Sequence, residues 1–441
     1  MNNFDDQTAG GEEPEDFAEF LRGFLANDSG IDPEQLAKVA GIPNTPEAIA
    51  NLKRQLEAAL MASEADTVGG VNWKAAGEQA KQLARTGGIA ITDDQRSRIE
   101  SAKQLASLWL DSATTIPAVN TDPKLLTREL WVADALPLFQ QLSAPVAERM
   151  ASALTEVMQK NLPPELGDAA KGAGKFMRAA GGALFAAQLG QAIGKLSQHV
   201  QGGSDIGIAL FADRAAFVPQ NIAEFTKELE VEIDQAYLFV VARELAFARL
   251  YKHSRWLRDA LIAQIAAYAS EISIDDASLR ELAEQADLNN PEDLRRVLES
   301  GALIASRTEE QERALASIET LLALIEGWVE AITEESTKLL PKSQALSEAI
   351  RRRRAAGGPA ELTFGTLVGL ELRPRRQREA AALFRLLGEK VGAAKRDSLW
   401  EHPDLLPNSE EIDHPELLIA RLTETSAADG IDDALKDWLG E

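Results

Sequence analysis

From Ala236 to Leu250 the chain reads AYLFVVARELAFARL, apolar on every helical face and broken only by Arg243, Glu244 and Arg249. A helix of that kind has no face to give to water, so the fold must wrap around it on all sides. The charges inside it then need partners. Arg243 or Glu244 left alone in an apolar interior would cost roughly 3–5 kcal/mol, so each must meet an opposite charge or a solvated cleft.

A second helix is predicted over about Glu309 to Leu340, where Leu315, Ile318, Leu322, Ile325, Val329 and Ile332 follow the alternating spacing of three and four of a packing seam. Glu319, Glu326 and Glu330 lie beside that seam, and charge patterning alone puts them on a solvated face. Glu326 and Glu330 are one turn apart, which would let both carboxylates reach one site.

Most of the remaining chain also reads as helix. Start signals recur at Asp32-Pro33-Glu34, Thr45-Pro46-Glu47, Asp122-Pro123-Lys124 and Asn290-Pro291-Glu292, where a side-chain oxygen caps free amides and proline takes the first helical position. Strand character is confined to Ile206–Val218, expected as a hairpin around Ala212-Asp213-Arg214, and more weakly to Thr363–Leu372. Gly182, Ala186, Gly190 and Gly194 repeat every fourth residue, a smooth face for close helix packing, and no phosphate-loop pattern accompanies them. The fold class expected is mainly α with a small β element. Its segments are a disordered acidic tail over 1–14, a small helical segment over 15–68 and a helical body over 69–441 with core helices at about 234–256 and 309–340. A length of 441 residues allows two or three domains or one large helical body.

Composition narrows the function. With 46 Lys+Arg against 70 Asp+Glu, the net charge is −24, the wrong sign for a general nucleic-acid binder. Positive charge concentrates in 351–396, including Arg351-Arg352-Arg353-Arg354, and negative charge in 401–441. The basic run is expected to complement a helix C-terminus before Gly357-Gly358-Pro359, with the acidic segment docked nearby; a site for an anionic ligand is the sharper alternative. There is no cysteine, which excludes disulfides, thiol nucleophiles and cysteine-ligated zinc. Seven acids precede the first base, Arg22, unlike the basic start of a signal peptide, and no apolar stretch is long enough to span a bilayer, so a cytoplasmic location is expected with no membrane partner. His199, His253, His402 and His414 are the four histidines, and no two stand four residues apart as a metal-binding helix face needs. Trp256, Trp328 and Trp400 read as core or cleft aromatics.

The run VARELAFARLYKHSRWLRDALI, ending at Ile262, resembles the active helix of a zincin-like family assigned as hydrolases, common in actinobacteria and often labelled zinc-dependent metalloproteases. The resemblance continues through RIESAKQLASLWLDSAT (Arg98–Thr114), GGALFAAQLGQAIG (Gly181–Gly194), SDIGIALF (Ser204–Phe211), EGWVE (Glu326–Glu330), LVGLELRPRR (Leu367–Arg376) and WEHPDLLP (Trp400–Pro407). It implies a zincin-like core within the helical body. In zincins the active helix reads HExxH, and the resemblance places the first metal histidine at Arg243, the catalytic glutamate at Glu244, the second histidine at Phe247, the third ligand at Glu326 and its supporting acid at Glu330.

Here only the glutamates are present. Phenylalanine has no lone pair and arginine stays protonated. A guanidinium about 4 Å from a dication at an effective dielectric near 20 is repelled by roughly 8 kcal/mol, much of the roughly 10–16 kcal/mol a good zinc site supplies. The expectation is therefore no catalytic zinc and no other cofactor, with Arg243 pairing with Glu326 or Glu244 in the metal's electrostatic place. His253, ten residues beyond Arg243, is too far along a continuous helix to stand in for a missing histidine, but a helix break would bring it back, and it is kept with Arg243, Phe247, Glu326 and Glu330 as a candidate for the cleft. The expected function is that of a non-catalytic relative that binds an unidentified protein or small-molecule ligand. The alternative is an active hydrolase using Glu244 with Glu326 or Glu330 and an atypical metal or none.

Overall fold

The structure is a computed structural model and describes residues 67–68, 71–161, 182–183, 185–229, 231–272, 307–355, 365 and 375–424. Its elements are β1 (Thr67–Val68), β2 (Val71–Asn72), α1 (Trp73–Arg85), α2 (Asp93–Ala113), β3 (Lys124–Leu125), α3 (Arg128–Asn161) and α4 (185–197). After these come β4 (Ala216–Phe217), α5 (Pro219–Leu229), α6 (Ile233–His253), α7 (Trp256–Ser270), α8 (Glu309–Ser336), α9 (Ser343–Ala355), α10 (Gln377–Lys390), α11 (Gly392–Ser398) and α12 (Ser409–Asp413). The fold is mainly α with a small β element. The expected acidic tail, nearly all of the 15–68 segment, the start signals at Asp32, Thr45 and Asn290, the weaker strand candidate apart from Gly365, and residues 425–441 lie outside the described residues.

The chain divides into two compact units, Met1–Ala76 with Ala144–Gln188 and Ile272–Ser306, and Gly77–Ser143 with Leu189–Glu271 and Arg307–Glu441. In the first, β1 and β2 pair antiparallel, Thr67 opposite Asn72, and Trp73 packs edge-on against Phe185. The second holds the candidate site.

Its centre is α6, buried continuously from Ala236 to Tyr251, as the absence of a polar face requires. Helices α2, α5, α8 and α9 pack around it, while α7 and α10 lie against α8. Helix α8 begins with a capping box: the Thr308 hydroxyl accepts from the Gln311 amide, the Gln311 side chain accepts from the Thr308 amide, and Glu309, Glu310 and Glu312 complement the positive end of the dipole. Its predicted seam is buried along its whole length. Glu326 and Glu330 are buried too, so the solvated face expected for them is wrong: other helices cover that side of α8 and bring cations with them.

Two further expectations fail for one reason. Asp122-Pro123-Lys124 does not open a helix; Lys124–Leu125 is a strand, and α3 starts later, with the Thr127 hydroxyl accepting from the Leu130 amide. Ile206–Val218 is not a hairpin either. Only Ala216–Phe217 is a strand, parallel to β3 and bridged on its other side by Gly202. Each half of the supposed hairpin pairs with, or packs on, distant chain instead of its neighbour. Residues 206–210 are buried and follow the turn at Gly207, whose φ of 79° is open to glycine and strained for other residues. The small-residue face is used for close packing at Gly194, where a Cβ would stand 2.7 Å from Leu83 Cβ of α1.

Candidate functional site

Helix α6 carries Arg243, Glu244 and Phe247 into the centre of the second unit, and α8 brings Glu326 and Glu330 alongside. Arg243 Nη2 donates to Glu326 Oε2 at 2.5 Å. Glu326 is wholly buried and takes a second guanidinium on its other oxygen: Arg354 Nη2 of α9 lies 2.6 Å from Oε1, in ion-pair contact without hydrogen-bond alignment. Arg354 is anchored by a 2.9 Å hydrogen bond from Nη1 to the Asp205 carbonyl. The result is a buried Arg–Glu–Arg triad joining α6, α8 and α9.

Phe247 completes it. One turn beyond Arg243, its ring lies under the guanidinium, with the guanidinium carbon 4.8 Å from the ring centroid. The ring's negative face supports the guanidinium charge.

Glu244 turns away from this triad. Its carboxylate accepts from the Gly203 amide at 2.9 Å, the Ser204 amide at 3.3 Å, the Ser204 hydroxyl at 3.2 Å and the Ala216 amide at 3.4 Å. The glycines make this approach possible, since a Cβ at Gly202 would fall 2.6 Å from Glu244 Oε2. Burial pushes the Glu244 carboxyl up to about 7, the charge of Asp205 adds to the rise, and the amides of Ala216 and Gly203 together with Arg243 oppose it.

Glu330 has its own set. Arg351 Nη1 donates to it at 2.9 Å and the Gln377 amide at 2.9 Å, with Arg385 at 3.8 Å. Burial raises its carboxyl above the usual range against the pull of Arg351. Glu326 and Glu330 therefore do not converge on one point; each is matched by a different arginine of the same α9 turn. The basic run does form the last turn of α9, as expected, but Arg351 and Arg354 point their charge at carboxylates of α8.

His253 sits exposed at the C-terminal end of α6, apart from these groups. His402, also exposed, caps a short 3-10 turn through its Nδ1. Among the described residues no group of three or more His, Asp or Glu side chains is arranged to hold a metal ion.

Sequence reasoning named Arg354 only as part of the basic run and gave no site role to Ser204 or Asp397. Asp397, before Trp400 in the chain, accepts from the Thr114 hydroxyl at 2.7 Å, Arg396 Nε at 2.7 Å and the indole of Trp328 at 3.0 Å, the tryptophan between Glu326 and Glu330. Burial alone would raise its carboxyl, but the bonds from Arg396 and Thr114 outweigh it and hold it below the ordinary range. The available signal for Arg354 was the basic run itself, whose carboxylate partners on α8 the sequence did not show.

Residues 71–419 match the family described as zincin-like metallopeptidase. The chain belongs to that family. Among solved structures, it is similar to one described as "a putative hydrolase with a novel fold" from Chloroflexus aurantiacus, at 20% identity and a TM-score of 0.54, over 80% of this chain and 99% of that one. At that identity the likeness is one of fold. No curated protein matches. This zincin-like chain has no helix, among its described residues, long and apolar enough to cross a membrane.

Proposed function

We propose that this member of the zincin-like family is non-catalytic, carries no zinc, and acts by binding a partner or small ligand. The observation that carries the reading is the Arg243–Glu326–Arg354 triad with Phe247 beneath it. The donor set at these positions does not fit Zn²⁺, which needs three or four lone-pair donors in tetrahedral array. Arg243 offers a fixed positive charge, Phe247 offers a hydrocarbon face, Glu326 is spent on two guanidiniums, and Glu244 is spent on the Gly203–Ser204 loop and Ala216.

Metal content decides it. Untagged protein purified with trace zinc present and no chelator should give a zinc-to-chain ratio near zero by mass spectrometry; a ratio near one overturns the reading. The double substitution Arg243→His, Phe247→His tests the assignment of the two positions, since it should gain stoichiometric zinc if they correspond to the two metal histidines.

A second reading, an active hydrolase, draws on Glu244, whose carboxyl near 7 is tuned as a general base would be. Metal-free turnover of a peptide or ester that disappears in Glu244→Gln would favour it. The four hydrogen bonds that Glu244 accepts, three from Gly203 and Ser204 and one from Ala216, weigh against it, because they occupy the oxygens a base would use.

A further inference from the structure

Helix α9 is joined to α8 by a polar rung at each successive turn. Thr337 Oγ1 and Ser343 Oγ share a hydrogen bond at 2.7 Å, Ser347 Oγ donates to Glu334 Oε1 at 2.7 Å, Arg351 Nη1 donates to Glu330 Oε1 at 2.9 Å, and Arg354 Nη2 lies 2.6 Å from Glu326 Oε1. The two helices therefore run antiparallel. Leu346 and Ile350 are the large apolar side chains of α9, and both are buried; α10, by contrast, buries Ala380, Ala381, Leu383, Phe384 and Leu387.

The three glutamates divide their oxygens in a regular way. Each gives Oε1 to α9 and Oε2 to another helix: Glu326 Oε2 accepts from Arg243 of α6 at 2.5 Å, Glu330 Oε2 from Gln377 of α10 at 2.9 Å, and Glu334 Oε2 from Arg385 of α10 at 2.6 Å. Lifting α9 strands none of these carboxylates, which removes the main cost of parting a buried charged interface. On the departing side, Arg351 keeps Glu348, one turn back at 3.0 Å. Arg354, whose Nε and Nη2 have no hydrogen-bond partner in place, exchanges Glu326 and the Asp205 carbonyl for water. Beneath α9 lies a pocket with room for about one water molecule, lined by Phe239 and Arg243 of α6, Thr333 of α8, and Ile350 and Arg351 of α9. Nothing larger enters while α9 is in place.

We propose that α9 is a lid: it lifts off α8 as a unit, turning about residues 337–342, and opens this pocket into a cleft on α6, α8 and α10 while the rest of the fold stays closed. The inference goes beyond the function proposed above, giving the route by which a binding site at Arg243 is reached.

The chain has no cysteine, so a single introduced thiol reports its own exposure. Thr333→Cys places one under α9, where the native side chain is 1% exposed and its hydroxyl has no hydrogen-bond partner to lose. Ala248→Cys, also buried and on the opposite side of α6 from Arg243 and Phe239, reports opening of the whole fold. With excess methyl methanethiosulfonate, the thiol at 333 should react at least about 30-fold faster than the one at 248. Arg351→Gln, which removes one rung and leaves Glu330 on Gln377, should quicken the first about fivefold or more and leave the second within about twofold. Equal rates at the two thiols, or an Arg351→Gln effect shared equally by both, would overturn the proposal. Hydrogen exchange on the parent chain checks it without a thiol: amides of residues 346–353 should exchange as one group, at least about 30-fold faster than those buried in α6 and α8, and protection equal to that of α6 would overturn it as well. Stoichiometric zinc in a chain whose thiol at 333 still reacts fast would sink the non-catalytic reading and leave the lid standing, whereas a zinc-free chain with equal rates would do the reverse.

Discussion

Glu326, wholly buried, is shared by two arginines from two different helices. Truncating it leaves both guanidiniums without their counter-charge, so Glu326→Ala should lose roughly 3–5 kcal/mol of stability in urea unfolding, far more than a typical surface ion pair. A loss below about 1 kcal/mol would mean the triad is solvated. Glu244 makes a different prediction, one of pH. Its folded carboxyl lies near 7 and its unfolded one near 4.5, so the native state holds the proton more tightly. Stability from this group is full below about 4.5, falls as pH rises to about 7 and is flat above, a total of about 3 kcal/mol. Glu244→Gln cannot titrate, so the stability difference between it and the parent should shift by that amount between pH 4.5 and 8; parallel pH profiles would show that Glu244 ionises freely.

Between elements, α8 crosses α10 at close range. A Cβ at Gly327 would stand 2.6 Å from Ala380 Cβ and 2.7 Å from the Ala381 nitrogen, so the obstacle is partly backbone and cannot rotate aside. Helix propensity alone would make alanine better here by about 1 kcal/mol. The crossing should reverse that sign: Gly327→Ala is expected to destabilise by about 1–3 kcal/mol, read from the urea midpoint, because α10 must move off α8 or strain against it. The consequence reaches the site, since α10 carries Gln377 and Arg385 to Glu330 and α8 carries Glu330 itself. A stabilised variant would mean that the two helices are not held at this distance. The small-residue face on α4 follows the same principle at Gly194 against α1, where spacing in the sequence already announced a close approach. The same spacing surrounds Gly327, with Ala323 and Ala331 one turn to either side, though this was not drawn from the sequence.

At the scale of the whole molecule, a protein whose centre is held by arginine–carboxylate pairs should be indifferent to metal. EDTA is expected to leave the thermal unfolding midpoint unchanged, where a zinc-dependent fold would lose stability by mass action; a drop reversed by added zinc would contradict the triad as the organising element. Much of this molecule was legible beforehand because it rests on local pattern. An apolar-all-round segment forces a central helix, a three-four spacing forces a buried seam, and the mainly α class follows from both, as does the need of Arg243 and Glu244 for partners. The family, too, was readable from motifs along the chain. Arg243 was expected on Glu326 or Glu244 and takes Glu326; the second arginine of Glu326 and the partners of Glu330 and Glu244 were not readable. Glu326 and Glu330 could have faced water, one shared site or two separate arginines, and the decision came from α9, whose Arg351 and Arg354 stand three residues apart and so meet carboxylates one turn apart on α8. Strand character was read in the segment that holds Ala216–Phe217, but its partner was not: two residues of strand carry almost no periodic signal, and Lys124–Leu125 becomes a strand because the chain brings it beside Ala216–Phe217. Helical periodicity is written in neighbouring residues, whereas the compensation of a buried charge depends on groups that may be distant in sequence, and only the folded chain brings those together.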